Sequence, residues 1–435
     1  VRRVFSVAES HKIGFLEATA IGIGGMVGGG IFAVLGLAVV MARGGTVVAF
    51  AIAGVVALLT AYAYAKLSVA LPSQGGTVTF LNRAYGQGLL TGSLNVLLWL
   101  SYIVMLSLYA FAFGSYGATF FPPSVQTLAK HGLISGVIVV ITSLNLLGAD
   151  HIARAEDWIV AIKLLILTFF VAVGMMGIEP ARLSVQTWSS PLNLAAGGMI
   201  IFVAYEGFEL IANTAADIRN PGRTLPRAFY TSVIAVIALY LLIATVTVGN
   251  LALDKIAAAK DYALAAAARP LLGQAGFTLI AIAALLSTAS ALNATLYGTA
   301  RLSFVIAKDG ELPAALEKPI WHKPLEGLLI TAGLTLVLAN TLDLSSISTI
   351  GSAGFLIIFG AVNLANVRLR EQTHSSAWVS AMGTLICGLA LAALIWRTAT
   401  QDPAKLWVLA GMLFLAFLIE GGYRLLRKRD IRVAL

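Results

Sequence analysis

Cysteine is all but absent from these 435 residues, and the single one, Cys387, sits inside an apolar stretch, which excludes a disulfide framework and a cysteine-built metal cluster. Histidine numbers only five (His11, His131, His151, His322 and His374), all at span ends or in loops, so none is given a role and no metal site is expected. Charge is short too: 11% of residues, where a soluble globular protein has about a quarter. With 59% hydrophobic residues and a mean hydropathy of +0.90, the chain reads as an integral membrane protein surrounded by a lipid bilayer. Its apolar segments are long and continuous, not alternating, which excludes a barrel and leaves an all-α fold. Membrane topology accounts for the basic excess, 29 Lys and Arg against 20 Asp and Glu for a net charge of +9, so no nucleic-acid partner is expected. The basic, polar start up to Lys12 has no small-residue cleavage site behind a short apolar run, so the first span is expected to be retained.

Twelve apolar segments can be drawn, at about 16–42, 46–71, 89–121, 133–149, 157–178, 192–217, 228–251, 271–300, 327–341, 346–368, 378–396 and 406–426. A short amphipathic piece, 77–85, follows the second, and 254–269 reads as a polar, alanine-rich connection before the eighth. With the N-terminus in the cytoplasm, twenty of the 29 basic residues fall inside and eight outside, leaving Lys163 within a span. Both termini are then cytoplasmic, in a multi-pass protein of the inner membrane. Residues 1–435 form one transmembrane domain, and the last two spans, 376–426, carry no buried charge and are expected at its periphery.

The first span holds six glycines, Gly22, Gly24, Gly25, Gly28, Gly29 and Gly30. Each costs about 1 kcal/mol relative to alanine inside a helix, so the run predicts a helix broken halfway across the bilayer. Broken backbone at that depth survives only against protein or a wet cavity. Close glycine packing between helices is the other reading of the same residues. If the break forms, the amides of Gly28, Gly29 and Gly30 begin the outer half-helix and attract an anion such as a carboxylate. The carbonyls ending the inner half, around Ile23 to Met26, have the opposite polarity and suit an ammonium. One break thus offers both ends of an α-amino acid.

The sixth span carries a second anomaly, Ala204, Tyr205, Glu206, Gly207, Phe208 and Glu209 in succession, with two carboxyls around a glycine at mid-membrane depth. It comes five spans after the first break. Interrupted helices at corresponding positions of two five-span halves mark an inverted-repeat transporter that binds a small-molecule substrate near the midplane. The halves would be 13–178 and 192–369, on spacing alone.

Four patches then resemble the amino acid–polyamine–organocation (APC) transporters, and the likeness runs over nearly the whole chain, from Ile13 to Arg424. They are the glycines 28–30 followed by Ile31 and Phe32, the loop 71–76, the loop 217–227 after the sixth span, and the stretch 301–313 after the eighth. Lys163 in the fifth span is similar to the lysine of the ApcT-type proton-coupled amino-acid transporters of that family. The resemblance implies a LeuT-type fold of five-plus-five inverted repeats with two extra C-terminal helices. It also implies that the Lys163 ammonium replaces a sodium ion between the first and eighth spans. Ser287, Thr288 and Ser290 on the eighth span are candidate hydroxyl partners, the other reading being the bond to their own backbone that mid-helix serines and threonines usually make. The carboxylate contact falls at Gly29 and Gly30, and an amino contact near Met26. Two departures stand out: Gly29 replaces the usual serine of the break, and Val78 replaces an aromatic.

Lys163 lies six residues after Asp157, roughly 9 Å into its span at 1.5 Å per residue. Snorkelling to the cytoplasmic surface is the bland alternative for it. Buried beside carbonyls, it can load and release a proton, holding the first-span carbonyls when charged and freeing them when neutral. Two charged carboxylates at mid-membrane are very costly, so at least one of Glu206 and Glu209 is protonated, paired or facing water. Glu209 matches the position of a functional glutamate in the family's basic amino acid and polyamine antiporters, making its combination with Lys163 a hybrid pattern. Tyr205 reads as an aromatic gate or as ordinary packing.

The function expected is secondary active transport of amino acids by proton symport, with no cofactor, no sodium requirement and alternating access between the broken first and sixth helices. The alternative is an exchanger of basic amino acids or polyamines. Enzyme and channel readings lack support in the sequence, which has neither a His or Cys constellation nor a repeated filter motif.

Overall fold

The structure, a computed structural model, describes residues 12–147, 152–308 and 325–426. The expectations for the two terminal segments, the loop 309–324, His11, His151 and His322 lie outside the described residues. Glycine breaks the first span where its density predicts: helices Phe15–Met26 and Gly30–Ala42 meet at a bend of 46°. The sixth span is broken likewise. Pro191 opens helix Pro191–Ile200, with Ser190 as its N-cap accepting the Asn193 amide, a favoured start. The chain then bends by 49° and continues as the 3₁₀ segments Phe202–Tyr205 and Phe208–Asp217.

The other spans follow the order drawn from the sequence. They are Thr46–Ala70, Leu89–Ala118, Gln126–Leu147, Ile152–Gly174, Pro221–Asn250, Ala263–Lys308, Leu325–Thr341, Leu344–Arg368, Ala377–Gln401 and Ala404–Leu426. Among the described residues nine helices are long and apolar enough to cross a membrane, and each bent pair adds one more span. Leu325–Thr341, at 17 residues, lies at the short limit for a crossing and makes the twelfth segment. The first and sixth spans run through the middle of the bundle, against the second, third, seventh, eighth and tenth.

Three points differ from the sequence reading. The connection 254–269 is not a polar loop: it forms helix Leu253–Ala258, a 3₁₀ turn Lys260–Tyr262, and the first turns of the helix that starts at Ala263 and kinks at Gly273 (φ +61°). Its alanines favour a helix, and Ile256, Ala263, Leu264 and Ala265 are buried. Gly36 of the first span lets this piece seat directly, since a Cβ there would come within 2.1 Å of the Lys260 carbonyl. The fifth helix starts at Ile152, earlier than the apolar segment drawn from 157. The last two spans do present broad apolar faces outward, with Trp378, Leu389, Trp407 and Phe414 exposed. They are not free of buried charge, however. Glu420 is buried at 1% exposure, packed on Gly92 and paired with Arg424 at 2.5 Å; the one-turn spacing of the pair hid it at the membrane edge.

Candidate substrate site at two facing helix breaks

The two breaks touch. A Cβ on Gly25 would lie 2.7 Å from the Gly207 carbonyl oxygen, and one on Gly30 would lie 2.7 Å from the Ala204 Cα. Gly207 itself has φ +118°, a conformation L side chains rarely adopt, and a Cβ there would come within 2.4 Å of the Gly25 carbonyl carbon. The glycines therefore serve both sequence readings together: they break the helix, and they bring its backbone against the other break.

Several carbonyls at the first break have donors. Ile23 accepts the Val27 amide at 2.8 Å, closing the inner half-helix, so it is engaged rather than open. Gly24 accepts from Lys163 Nζ at 3.3 Å, and Met26 from the Tyr240 hydroxyl at 2.6 Å. Ser287 on the eighth span donates to the carbonyl of Val27 at 3.1 Å and also contacts that of Gly28. Lys163 is 1% exposed, so its long side chain turns inward instead of snorkelling. Fifth and eighth spans thus both contact the break, through Lys163 and Ser287. Thr288 does not join them. Its hydroxyl donates to Ala284 at 2.7 Å on its own helix, the ordinary habit of a mid-helix threonine, and its methyl faces Gly29. Ser290 is buried on the same span.

The amides of Gly28 and Gly29 lie outside both half-helices and enter none of the backbone hydrogen bonds among the described residues. With Gly30 they form the N-terminal end of the outer half, the polarity that draws a carboxylate. Tyr109 of the third span lies across this end: a Cβ on Gly29 would come within 2.3 Å of its ring. A serine therefore does not fit at Gly29 as the chain is packed, which gives the departure from the family pattern a steric cause.

In the sixth span the helix does not continue from Glu206 to Glu209, yet the two carboxyls meet. Glu206 has extended backbone geometry (φ −65°, ψ 149°), and its side chain lies beside those of Glu209 and Tyr109. Glu209 accepts the Tyr102 hydroxyl at 2.9 Å and the Gly207 amide at 2.8 Å. Both carboxyls are buried, at 2% and 1% exposure, and the donors around them are what make two acids tolerable there. Tyr205 takes the packing alternative. Its hydroxyl donates to the Phe50 carbonyl at 3.0 Å, and its ring lies 5.1 Å from that of Tyr240 and 6.4 Å from that of Phe50.

Three tyrosines that the sequence reading did not single out complete the site: Tyr102 and Tyr109, two turns apart on one face of the third span, and Tyr240 on the seventh. The seven-residue spacing of the first two was a visible signal, but among apolar neighbours it matches core packing equally well.

The amino acid permease family model matches residues 13–418. The chain is similar to the inner membrane transport protein YbaT of Escherichia coli (strain K12), with 34% identity over 93% of this chain and 94% of that protein. It is also similar to the branched-chain amino acid permease BcaP of Bacillus subtilis (strain 168), at 24% identity over 83% and 81% of the two chains. The serine/threonine exchanger SteT of the same organism is 26% identical over 70% of each.

Proposed function

Because the chain belongs to the amino acid permease family, a multi-pass membrane transporter of LeuT-type fold and not an enzyme, we propose that it carries amino acids across the inner membrane by proton-coupled symport. The observation that carries this reading is the buried Lys163 ammonium on the Gly24 carbonyl at the first break. Charged, it supplies the positive charge a bound sodium ion would supply there. Neutral, it loses a charge-assisted hydrogen bond and frees the inner half-helix to move. One proton is gained on one side and lost on the other, so no sodium is required. The cargo's carboxylate lies on the amides of Gly28, Gly29 and Gly30, and its ammonium near the Met26 carbonyl. Both termini face the cytoplasm, supported by the distribution of Lys and Arg. Residues 13–178 and 192–369 are the two inverted repeats, supported by the five-span separation of the breaks.

The second reading is exchange of basic amino acids or polyamines, favoured by the Glu206 and Glu209 carboxyl pair, which can complement a second amine. SteT, by its name an exchanger, gives the exchange half of that reading a precedent among the relatives. Uptake of labelled alanine into sodium-free proteoliposomes separates the two. Symport expects accumulation under an imposed pH gradient, inside alkaline, with no internal counter-substrate. An absolute need for sodium would remove the role given to Lys163. Uptake only into preloaded vesicles, with competition by arginine or putrescine, would establish the exchanger.

A further inference from the structure

The Tyr240 hydroxyl donates at once to the carbonyl of Met26 at 2.6 Å and to that of Ala204 at 3.1 Å. These are the last carbonyls before the break in the first span and beside the break in the sixth. Neither accepts a backbone amide among the described hydrogen bonds, because the chain leaves helical geometry just after each of them, at Val27 and at Glu206. One phenol on the seventh span therefore answers the exposed acceptors of both broken helices. The ring that carries it is fully buried and wedged between Phe50, at 5.9 Å, and Tyr205, at 5.1 Å, so the hydroxyl is held in place rather than swinging on a long chain.

We propose that Tyr240 stands in for the cargo's ammonium while the site is empty, which allows the empty carrier to cross back. The proposal rests on the amino-acid reading above, in which that ammonium is directed to the carbonyls of the breaks. An ammonium brings three donors and a full charge, so with cargo bound the phenol proton is dispensable at Met26 and Ala204. When cargo leaves, the phenol again satisfies both acceptors, and the broken ends stay together without water entering between them. Symport needs that state, because each cycle includes a crossing without cargo. Exchange does not, since the site is filled at every crossing.

Tyr240→Phe keeps the ring and removes only the hydroxyl. In proteoliposomes, net uptake of labelled alanine driven by a pH gradient is expected to fall about tenfold, the size of one lost buried hydrogen bond. Alanine–alanine exchange is expected to fall by much less than net uptake, with no rise in its half-saturation concentration, because only the empty form has lost a donor. In detergent, alanine is expected to raise the melting temperature of Tyr240→Phe by more than it raises that of the wild type, since the variant is weakened chiefly when empty. Net uptake and exchange falling together would make Tyr240 a packing residue and overturn the proposal, as would net uptake left unchanged. If the wild type only exchanges, the melting comparison decides: an equal rise in both proteins overturns it. A wild type that neither transports alanine nor is stabilised by it would sink the amino-acid reading as well.

Discussion

Lys163→Ala is expected to lose pH-gradient-driven amino-acid uptake by a factor on the order of ten to a hundred, the range for a charged buried hydrogen bond. The methyl that remains leaves the Gly24 carbonyl facing the space of the lost ammonium, and the fifth span loses its grip on the inner half of the first. Lys163→Arg sharpens the test. Arginine keeps the positive charge but does not give up its proton at any ordinary pH. If Lys163 acted only as a fixed counter-charge, the arginine variant would run the full cycle wherever it fits. Proton coupling expects it to lose net uptake while keeping exchange, because the loaded crossing needs the charge and the empty return needs its release. Parallel uptake and exchange assays on the two variants read the difference directly.

Gly207→Ala is expected to cut transport at least tenfold and to lower the melting temperature, from two effects that act together. An L side chain at φ +118° costs about 1–3 kcal/mol in backbone strain. Its Cβ would also come within 2.4 Å of backbone atoms of Gly25, and backbone cannot rotate aside as a flexible side chain can. The two breaks would have to separate. Gly24→Ala is the matched control in the same region, because its Cβ would meet Val160 at 3.4 Å, an ordinary contact. Uptake and thermal unfolding of the two variants side by side separate the contact between the breaks from general sensitivity of the glycine run. Equal loss in both would show that glycine density, not that contact, is what matters.

The first break, the sixth-span break and the inward Lys163 were legible in the sequence because each violates what lipid permits. Six glycines in a span, two acids at mid-depth and a lysine at mid-helix all stand out against an apolar background. The groups that answer them were not legible. Tyr102 meets Glu209 from 107 residues away, and Tyr240 reaches Met26 from 214 residues away, inside spans whose pattern matches ordinary packing. A hydroxyl's role there depends on which carbonyl the fold brings within 3 Å, and one sequence carries no signal for that. The 254–269 segment misled for a different reason: Asp254, Lys255, Lys260 and Asp261 gave it a loop's polarity, while its alanines and burial against the first span decided for helix. Thr288 shows the limit of residue type alone, since a hydroxyl at the right depth still turned to its own backbone. Glu420 was passed over because it lies near a predicted span end, where an acid ordinarily meets water.

Bare peptide groups of two interrupted helices are held to recognise the backbone of an amino acid, and a binding series on the purified protein tests that without any assumption about coupling. Alanine, its methyl ester, propionate and putrescine are titrated by calorimetry under identical conditions. Only alanine should bind measurably, because it alone presents both a carboxylate for the amides of Gly28 to Gly30 and an ammonium for the carbonyl side. If the ester or putrescine bound as tightly as alanine, the breaks would not be reading both ends of an amino acid, and the site described here would be the wrong one.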